Sequence, residues 1–237
     1  MVKSSQSTAD TSLADHHRTD TPDRRRLSET ERTILVAARA EFVRRGVSGA
    51  RMAAIASRAR VNKALIHYYF RSKENLYRRV LGDIMTTVID SLSADLGAVE
   101  PDDNPRAVIE TLVTAYTRTL RENPEFPVIM MREFAGGGHD IPTVVEQISS
   151  SFMTVPPRLY ATLSRAADKG RIRRMEPLHI MMNVLGMTLA TFFLRPVAEV
   201  VHRKMTGETL RCDENFYRRR IETITRMACE GIIRKDA

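Results

Sequence analysis

The chain has 237 residues and a formal net charge of +8. This length allows one large or two modest domains with a buried core. Residues 1–26 contain no apolar signal segment, and the most apolar run, 180–194, is shorter than the roughly 20 residues that a membrane helix needs. We therefore predict a soluble, cytoplasmic protein with no membrane partner.

Several sequence features argue against catalysis and metal binding. Cys212 and Cys229 form no C-x-x-C pair and have no histidine at zinc-ligand spacing. The glycines 136–138 lack the Lys-Ser/Thr of a phosphate-binding loop, and His139–Asp140 has no second ligand at a suitable spacing. No Ser or Cys lies in a nucleophile elbow. We therefore expect no enzyme, no metal and no cofactor.

The positive charge is concentrated in one segment. Residues 24–79 contain 15 Lys/Arg against 4 Asp/Glu, a net of +11, whereas residues 1–23 contain 2 against 4, a net of −2. The remainder of the chain is close to neutral. This distribution is expected if only that segment meets phosphates, although a run of charge is more often just a solvated face.

Residues 1–26 are predicted to be a disordered arm with a basic end. The arm is rich in Ser, Thr, Asp and His and has almost no apolar residues, so burial cannot offset the entropy of ordering it. It ends in the triplet Arg24–Arg26. These arginines could reach phosphates or a minor groove, or could simply be part of the tail.

A capping box at 28–31 predicts the start of the first helix, and Gly46 predicts its end. A second short helix is indicated by Met52, Ile55, Ala56 and Ala59, whose spacings of three and four place them on one face. The tight turn that follows, around 60–61, is too short for an antiparallel hairpin and is typical of a helix-turn-helix.

The helix after this turn presents a basic and aromatic face. Asn62 is its predicted N-cap, and Ile66 and Phe70 form its buried side. At 100° per residue the opposite side carries Lys63, Ala64, His67 and Tyr68, with Leu65 on the flank. Such a surface suits a major groove, where lysine reaches guanine edges and apolar groups touch thymine methyls. The alternatives are an aromatic patch packed on a neighbouring domain or a purely structural helix-turn-helix.

The run VNKALIHYYFRSKENLY resembles the recognition helix and following turn of the tetracycline-repressor (TetR) family. The family pattern is a capped helix, a Tyr-x-Phe near its end and a Ser-Lys-Glu before a long helix, matched by Asn62, Tyr69–Phe70 and residues 72–74. Upstream, Ala38, Phe42, Gly46 and Ile55–Ala56 also match.

Two departures from the family pattern concern the turn and the second helix. Arg60 replaces the usual inter-helix glycine, and residues 50–52 replace the usual Thr-Thr-Val, so the expected phosphate contact falls to Arg51. From the helix face and the resemblance together we predict the following DNA-binding residues: Arg51, Asn62, Lys63, Ala64, Leu65, His67, Tyr68, Tyr69 and Lys73.

The resemblance implies an all-α protein with two domains. A three-helix helix-turn-helix DNA-binding domain is expected at 27–80, and a larger helical ligand-binding and dimerisation domain at 81–237. The remaining predicted helices lie at 73–96, 105–122, 124–135, 142–169, 177–204 and 213–234. Pro156–Pro157 and Pro196 should kink or break two of them.

A Met- and Phe-rich set in the C-terminal part could line a cavity for a small, largely apolar ligand, although each member alone is better explained as core. The resemblance implies an inducer pocket in this region. The candidate ligand-binding residues are Tyr116, Met131, Arg132, Phe152, Asn183 and Met187.

The resemblance also implies a dimer formed by the last two helices, 177–204 and 213–234. Their apolar stripes are predicted to pair across the two-fold axis. The members of these stripes are Leu185, Leu189, Phe193, Ile221, Ile224, Ala228 and Ile232.

These features predict a ligand-responsive transcription regulator, a repressor that binds a palindromic operator as a homodimer. Its partners would be double-stranded operator DNA and an unknown small, largely apolar ligand. The alternative is an architectural DNA-binding protein without small-molecule control, whose C-terminal helices serve assembly or a protein partner.

Overall fold

The computed structural model describes residues 29–97, 104–148 and 155–233. Over these ranges the chain is all-α, as predicted, with one isolated antiparallel bridge between Ile172 and Ile233. The predicted arm at 1–26 lies outside the described residues, and so does Phe152.

The first three helices form the helix-turn-helix unit: α1 (Glu29–Gly49), α2 (Met52–Ala59) and α3 (Lys63–Phe70). Gly46 interrupts α1 with φ 67° and ψ 177°, a conformation that glycine adopts without strain. The predicted stop is therefore a break, after which a short helical run leads into α2. Ile34, Phe42, Ile55 and Ile66 are fully buried and join the three helices.

Helix α4 (Lys73–Leu96) links this unit to the rest of the molecule. Its N-cap is Ser72, whose hydroxyl accepts a hydrogen bond from Asn75 N at 3.1 Å. Apolar residues are buried along its length, from Leu76 to Leu96. At about 1.5 Å per residue it is roughly 36 Å long, enough to reach from the helix-turn-helix unit into the C-terminal part.

Seven further helices follow in the described parts of the chain: α5 (Pro105–Glu122), α6 (Glu125–Ala135), α7 (Asp140–Gln147), α8 (Val155–Asp168), α9 (Pro177–Phe193), α10 (Arg195–Thr206) and α11 (Glu214–Ile232). The Asn104 cap with Pro105 in the first turn is confirmed, since Asn104 Oδ1 accepts from Arg106 N at 2.9 Å.

Two predicted helices are divided. The prediction of one helix over 142–169 is wrong, because α7 ends at Gln147 with Ile148 outside helical geometry and α8 begins at Val155. The predicted helix 177–204 is broken by a 66° bend between α9 and α10. Pro196 lies in the first turn of α10, where its missing N–H costs nothing.

The apolar core has two clusters, and the first crosses the predicted domain boundary. It joins Ile34, Phe42 and Ile55 of the helix-turn-helix unit to Tyr116 of α5 and Met130 of α6. The second lies between α5, α8, α9 and α11. The predicted boundary at 80/81 falls inside α4, so any movement of the helix-turn-helix unit must involve α4 and α6.

Within the described ranges, no single helix is long and apolar enough to cross a membrane. Helices α9 and α10 would be long and apolar enough only if they formed one continuous helix, and a 66° bend separates them.

Candidate nucleic-acid interface

The turn between α2 and α3 is closed by backbone hydrogen bonds around Arg60. This residue has φ 55° and ψ 39°, the left-handed conformation that commonly ends helices. Its N–H donates to Ser57 O at 3.2 Å, and Val61 N donates to Ala56 O at 3.0 Å. The turn thus forms without the usual glycine. The left-handed conformation costs a non-glycine residue roughly 1–2 kcal/mol.

Asn62 caps α3, as the sequence predicts. Its Oδ1 accepts a hydrogen bond from Ala64 N at 2.9 Å, so the cap fixes the start of the helix. Ile66 and Phe70 are buried below it. The opposite face is therefore held outward by both the cap and the core.

The predicted reading face is exposed. Lys63, Ala64, His67 and Tyr68 all lie on the surface, and Tyr68 is 67% exposed. Leu65 is 39% exposed on the flank. The structure therefore brings these five residues together on one side of α3, with nothing packed over them in the described part of the chain.

Tyr69 and His67 are oriented by neighbours on their own segment. Tyr69 is half-buried and lies edge-on to Tyr68, with ring centroids 5.3 Å apart. His67 Nδ1 lies 3.2 Å from Arg71 O. If Nδ1 carries the proton of a neutral ring, it donates to this carbonyl, and Nε2 is left as an acceptor.

The remaining predicted contacts flank the reading face. Arg51 is exposed at the N-cap of α2 in an extended conformation. Lys73 is half-buried at the first position of α4. Both stand at helix N-termini, where the backbone N–H groups and the helix dipole also favour a phosphate.

The segment 51–73 contains six Lys/Arg and no Asp or Glu. Five other arginines in this half of the protein are paired with carboxylates: Arg39 with Glu125, Arg44 and Arg45 with Glu41, Arg78 with Asp140, and Arg79 with Asp83. Within the described residues none of the six cations of 51–73 has such an ion pair. The positive charge around α3 is therefore not neutralised within the protein and is available to an anionic partner.

A second positive-φ residue, Arg71, follows α3 directly. It has φ 66° and ψ −50°, and Ser72 N donates to Phe70 O at 2.7 Å, which makes a γ-turn. The sequence predicts a turn here but not its strained geometry, because the geometry arises from joining α3 to α4 through only two residues. The positive φ of Arg60, by contrast, could be anticipated, because Arg60 occupies the turn position where the family pattern has glycine.

Comparison with known proteins identifies both parts of the chain. The family model of the bacterial regulatory proteins, tetR family, matches residues 34–80, and that of the YcdC-like protein C-terminal region matches residues 85–235. The chain belongs to the TetR family of bacterial regulatory proteins. It is a DNA-binding transcriptional regulator, not an enzyme.

Two proteins of similar sequence are themselves transcriptional regulators. The transcriptional regulator RutR of Escherichia coli K12 is 29% identical over 208 residues, 88% of this chain and 92% of RutR. The transcriptional repressor SCO4008 of Streptomyces coelicolor is 42% identical over 74 residues, 31% of this chain and 36% of SCO4008.

Two solved structures share the TetR fold of this chain. SCO4942 of Streptomyces coelicolor, a candidate transcriptional regulator, has a TM-score of 0.61 at 19% identity, covering 86% of this chain and 98% of its own. The fatty acid degradation regulator FadR of Bacillus halodurans has a TM-score of 0.57 at 15% identity, covering 83% and 93%. At these identities the likeness concerns the fold alone.

The candidate ligand residues of this TetR-family protein are not brought together in one place. Tyr116 is buried and Met187 half-buried, whereas Met131, Arg132 and Asn183 are exposed. Arg132 is directed to the helix-turn-helix unit, where its Nη2 donates to Arg44 O at 3.1 Å. Phe152 lies outside the described residues.

Tyr116 differs from the other candidates in its surroundings. It is 7% exposed within the first core cluster, together with Phe126 and Met130 of α6. Burial raises the pKa of its hydroxyl.

The polar contacts that join α6 and α7 to the helix-turn-helix unit and α4 could not be predicted from the sequence. The buried Tyr77 hydroxyl donates to Glu133 Oε1 at 2.5 Å. Burial, followed by this bond to Glu133, raises the pKa of Tyr77. Arg78 Nε donates to Asp140 Oδ1 at 2.8 Å, and Arg39 pairs with Glu125. These pairs are separated widely in sequence, so periodicity alone could not reveal them.

Most residues of the apolar stripes that are predicted to form the dimer face contact the core of their own protomer. Ile224 and Ala228 are 2% and 6% exposed, and Leu185, Leu189 and Phe193 pack against the core clusters. For Ile224 and Ala228 the prediction is wrong, because both are buried in the protomer's own core. The other described members are half-buried, so pairing through them stays a prediction: Leu185, Leu189, Phe193 and Ile221. The side chain of Ile232 is not described.

The large exposed apolar side chains of α9 and α11 form a different set. Leu178 and Met182, four residues apart on α9, are 52% and 61% exposed, and Met227 on α11 is 59% exposed. These three residues are called the outer apolar face below.

Proposed function

We propose that this TetR-family regulator is a cytoplasmic repressor that binds a palindromic operator as a homodimer and releases it when a small, largely apolar ligand binds. The observation that carries the DNA part is the segment 51–73, which holds six cations, no carboxylate and an exposed reading face on α3. Such a surface gains from phosphate contacts and from base edges in a major groove.

The dimer is supported by the size of the reading head. A helix of eight residues contacts few bases, so useful affinity requires two half-sites about one helical turn apart. A two-fold dimer supplies both. The outer apolar face offers large exposed side chains on the two helices that the family resemblance assigns to dimerisation.

The ligand is placed beside Tyr116. The side chain of Tyr116, set in one apolar cluster with Phe126 and Met130, fits a ligand that is mostly apolar with one hydrogen-bonding group. Met131, Arg132, Phe152, Asn183 and Met187 remain candidates for further contacts.

The path from ligand to DNA runs through α6. Phe126 and Met130 face the same cluster as Tyr116, while Glu133 and Arg132 of that helix hold Tyr77 and the carbonyl of Arg44. A ligand that displaces α6 would therefore move α1 and α4 and change the distance between the two reading heads. Such coupling is typically worth about 1–3 kcal/mol and is reciprocal.

The test is an unbiased selection of bound duplexes, repeated with a panel of small apolar compounds. We expect a palindromic consensus and at least one compound that lowers operator affinity by roughly 5- to 150-fold. Tyr116→Phe should weaken the effect of that compound while leaving operator affinity without it unchanged.

The architectural alternative predicts other outcomes. Enrichment of bent or A/T-rich duplexes without a palindrome, with no compound changing their affinity, would favour it over the repressor. Selection of a palindrome whose affinity no compound alters would retain the operator and remove the ligand from the proposal.

A further inference from the structure

The recognition helix is bracketed by two arginines in a backbone conformation that arginine rarely adopts. Arg60 precedes α3 with φ 55°, and Arg71 follows it with φ 66°. In the described part of the chain these two are the non-glycine residues with positive φ. Arg71 is the C-cap of α3, and Arg60 is the C-cap of α2, three residues before α3 begins at Lys63.

The chain uses glycine wherever else this conformation is described. Positive φ is found at Gly46, Gly137, Gly138, Gly170 and Gly207. Glycine adopts it without steric cost, whereas an arginine Cβ collides with its own backbone. The two arginines therefore make the folded protomer less stable than glycines would at the same turns.

Backbone hydrogen bonds close both turns and would form equally well with glycine, and no side-chain contact in the described structure offsets the strain. Both side chains are exposed, and neither guanidinium has an ion pair or hydrogen bond among the described residues. The neighbouring Arg44, Arg45, Arg78 and Arg79 are all paired with carboxylates. The two guanidinium groups are thus free to bind a partner outside the chain.

The length of α3 is comparable to the width of the major groove. An eight-residue helix is about 12 Å long, and the major groove is about 12 Å wide. Cations at the two ends of a helix in that groove can meet phosphates on both of its sides. Guanidinium groups suit phosphate because their planar donors form two parallel hydrogen bonds.

We infer that Arg60 and Arg71 are a phosphate clamp for α3, two DNA contacts that are kept at the expense of turn stability. The inference rests on the proposed operator binding and adds two contacts to it. A clamp of this kind sets the position of α3 in the groove and leaves base recognition to Lys63 and its neighbours.

The experiment compares glycine and glutamine at each position. Arg60→Gly and Arg71→Gly remove both strain and charge, whereas Arg60→Gln and Arg71→Gln remove the charge alone. Each glycine variant should raise Tm by about 1–3 °C. All four should weaken binding to the selected duplex by roughly tenfold or more at 0.1 M salt, and should flatten the slope of log K against log salt by about 1.8, since a dimer loses two contacts of about 0.9 each.

Arg226→Gln on α11 is the matched control, an exposed arginine far from α3 in sequence, and should bind DNA like the parent. Glycine variants that gain stability and keep the parent's affinity and salt slope would overturn the clamp, because the arginines would then be merely strained. If the parent itself selects no duplex, the proposed operator binding fails instead, which is a separate result.

Discussion

The side chains of α3 are divided between those that hold the helix in place and those that are exposed on the side proposed to meet DNA. Asn62 Oδ1 accepts the N-cap hydrogen bond from Ala64 N, and Ile66 and Phe70 are buried. These three residues therefore affect DNA binding only by fixing the position of the helix. Lys63 and His67 are exposed beside them. Substitutions in the two groups should therefore fail in different ways, the first in stability and the second in affinity.

Lys63 and Lys73 are expected to differ in specificity. Lys63 lies on the reading face, so Lys63→Ala should cost about 1–3 kcal/mol on the selected duplex and less on a scrambled one. Lys73 begins α4 beside the groove, so Lys73→Ala should weaken both duplexes alike and flatten the salt slope. Anisotropy titrations on the two duplexes measure this. Folded variants that both bind like the parent would show that another face docks on DNA.

Glu41 should make the stability of the helix-turn-helix unit depend on pH. It is 1% exposed, and its Oε2 accepts from Arg44 Nη2 at 2.7 Å. This hydrogen bond is the main reason that the pKa of Glu41 lies below its ordinary 4.5, against the opposing effect of burial. A lowered folded pKa adds stability that is present above the unfolded pKa and is lost as pH falls through the folded value.

Glu41→Gln should therefore destabilise the protein at pH 7, and the difference should shrink below about pH 4. Urea unfolding of parent and variant at both pH values measures this. An equal difference at the two pH values would mean that the ion pair with Arg44 adds nothing.

At the residue scale, the sequence predicts those features that depend only on a residue and its near neighbours in the chain. The Asn62 and Asn104 caps and the break at Gly46 follow from side-chain chemistry and backbone freedom. The γ-turn at Arg71 does not, since it is imposed by packing α3 against α4. The ligand candidates spread over exposed and buried positions because Met and Phe content alone does not say which way a side chain points.

At the element scale, α6 is a helix that contacts both the helix-turn-helix unit and the apolar cluster around Tyr116. Its Glu133 is 8% exposed and accepts the Tyr77 hydroxyl, and its Glu125 pairs with Arg39 of α1. The helix also belongs to the cluster around Tyr116. Weakening its polar contacts should loosen the coupling without touching either binding site.

Tyr77→Phe is the sharpest change at this contact. It leaves the buried Glu133 carboxylate without its donor, so we expect a loss of about 1–3 kcal/mol in the free energy of unfolding and a smaller effect of ligand on operator affinity. Tyr160→Phe is the matched control, because the exposed Tyr160 hydroxyl also donates to a glutamate, Glu176, at 2.9 Å. Equal losses in the two variants would show that the Tyr77 contact has no special role.

The outer bounds of the helices predicted after α3 lie within two residues of the observed ones, whereas the breaks inside two of these helices are not located exactly. Starts carry caps and prolines that act locally, as at Ser72, Pro105 and Pro177. The end of α7 at Gln147 carries no glycine, and the bend after Phe193 follows from Pro196 only approximately. Both depend on which neighbours each helix meets.

At the scale of the whole molecule, the outer apolar face should hold the dimer. Met182→Glu places a charge where two copies would meet, so sedimentation at micromolar concentration should change from dimer to monomer. Val36→Glu is the control, a 67% exposed apolar residue on α1, and should remain dimeric. A parent that sediments as a monomer, or a Met182→Glu protein that stays dimeric, would place the interface elsewhere.

The central claim is that two copies of α3 read two half-sites, and photo-crosslinking tests it most directly. A photoreactive phenylalanine analogue replaces Tyr68, which is 67% exposed on the reading face, or Tyr160, which is 43% exposed on α8. Irradiation with the selected duplex should attach position 68 to bases in both half-sites and leave position 160 unattached. Crosslinks from position 160 alone, or from position 68 to only one half-site of a saturated duplex, would contradict the account.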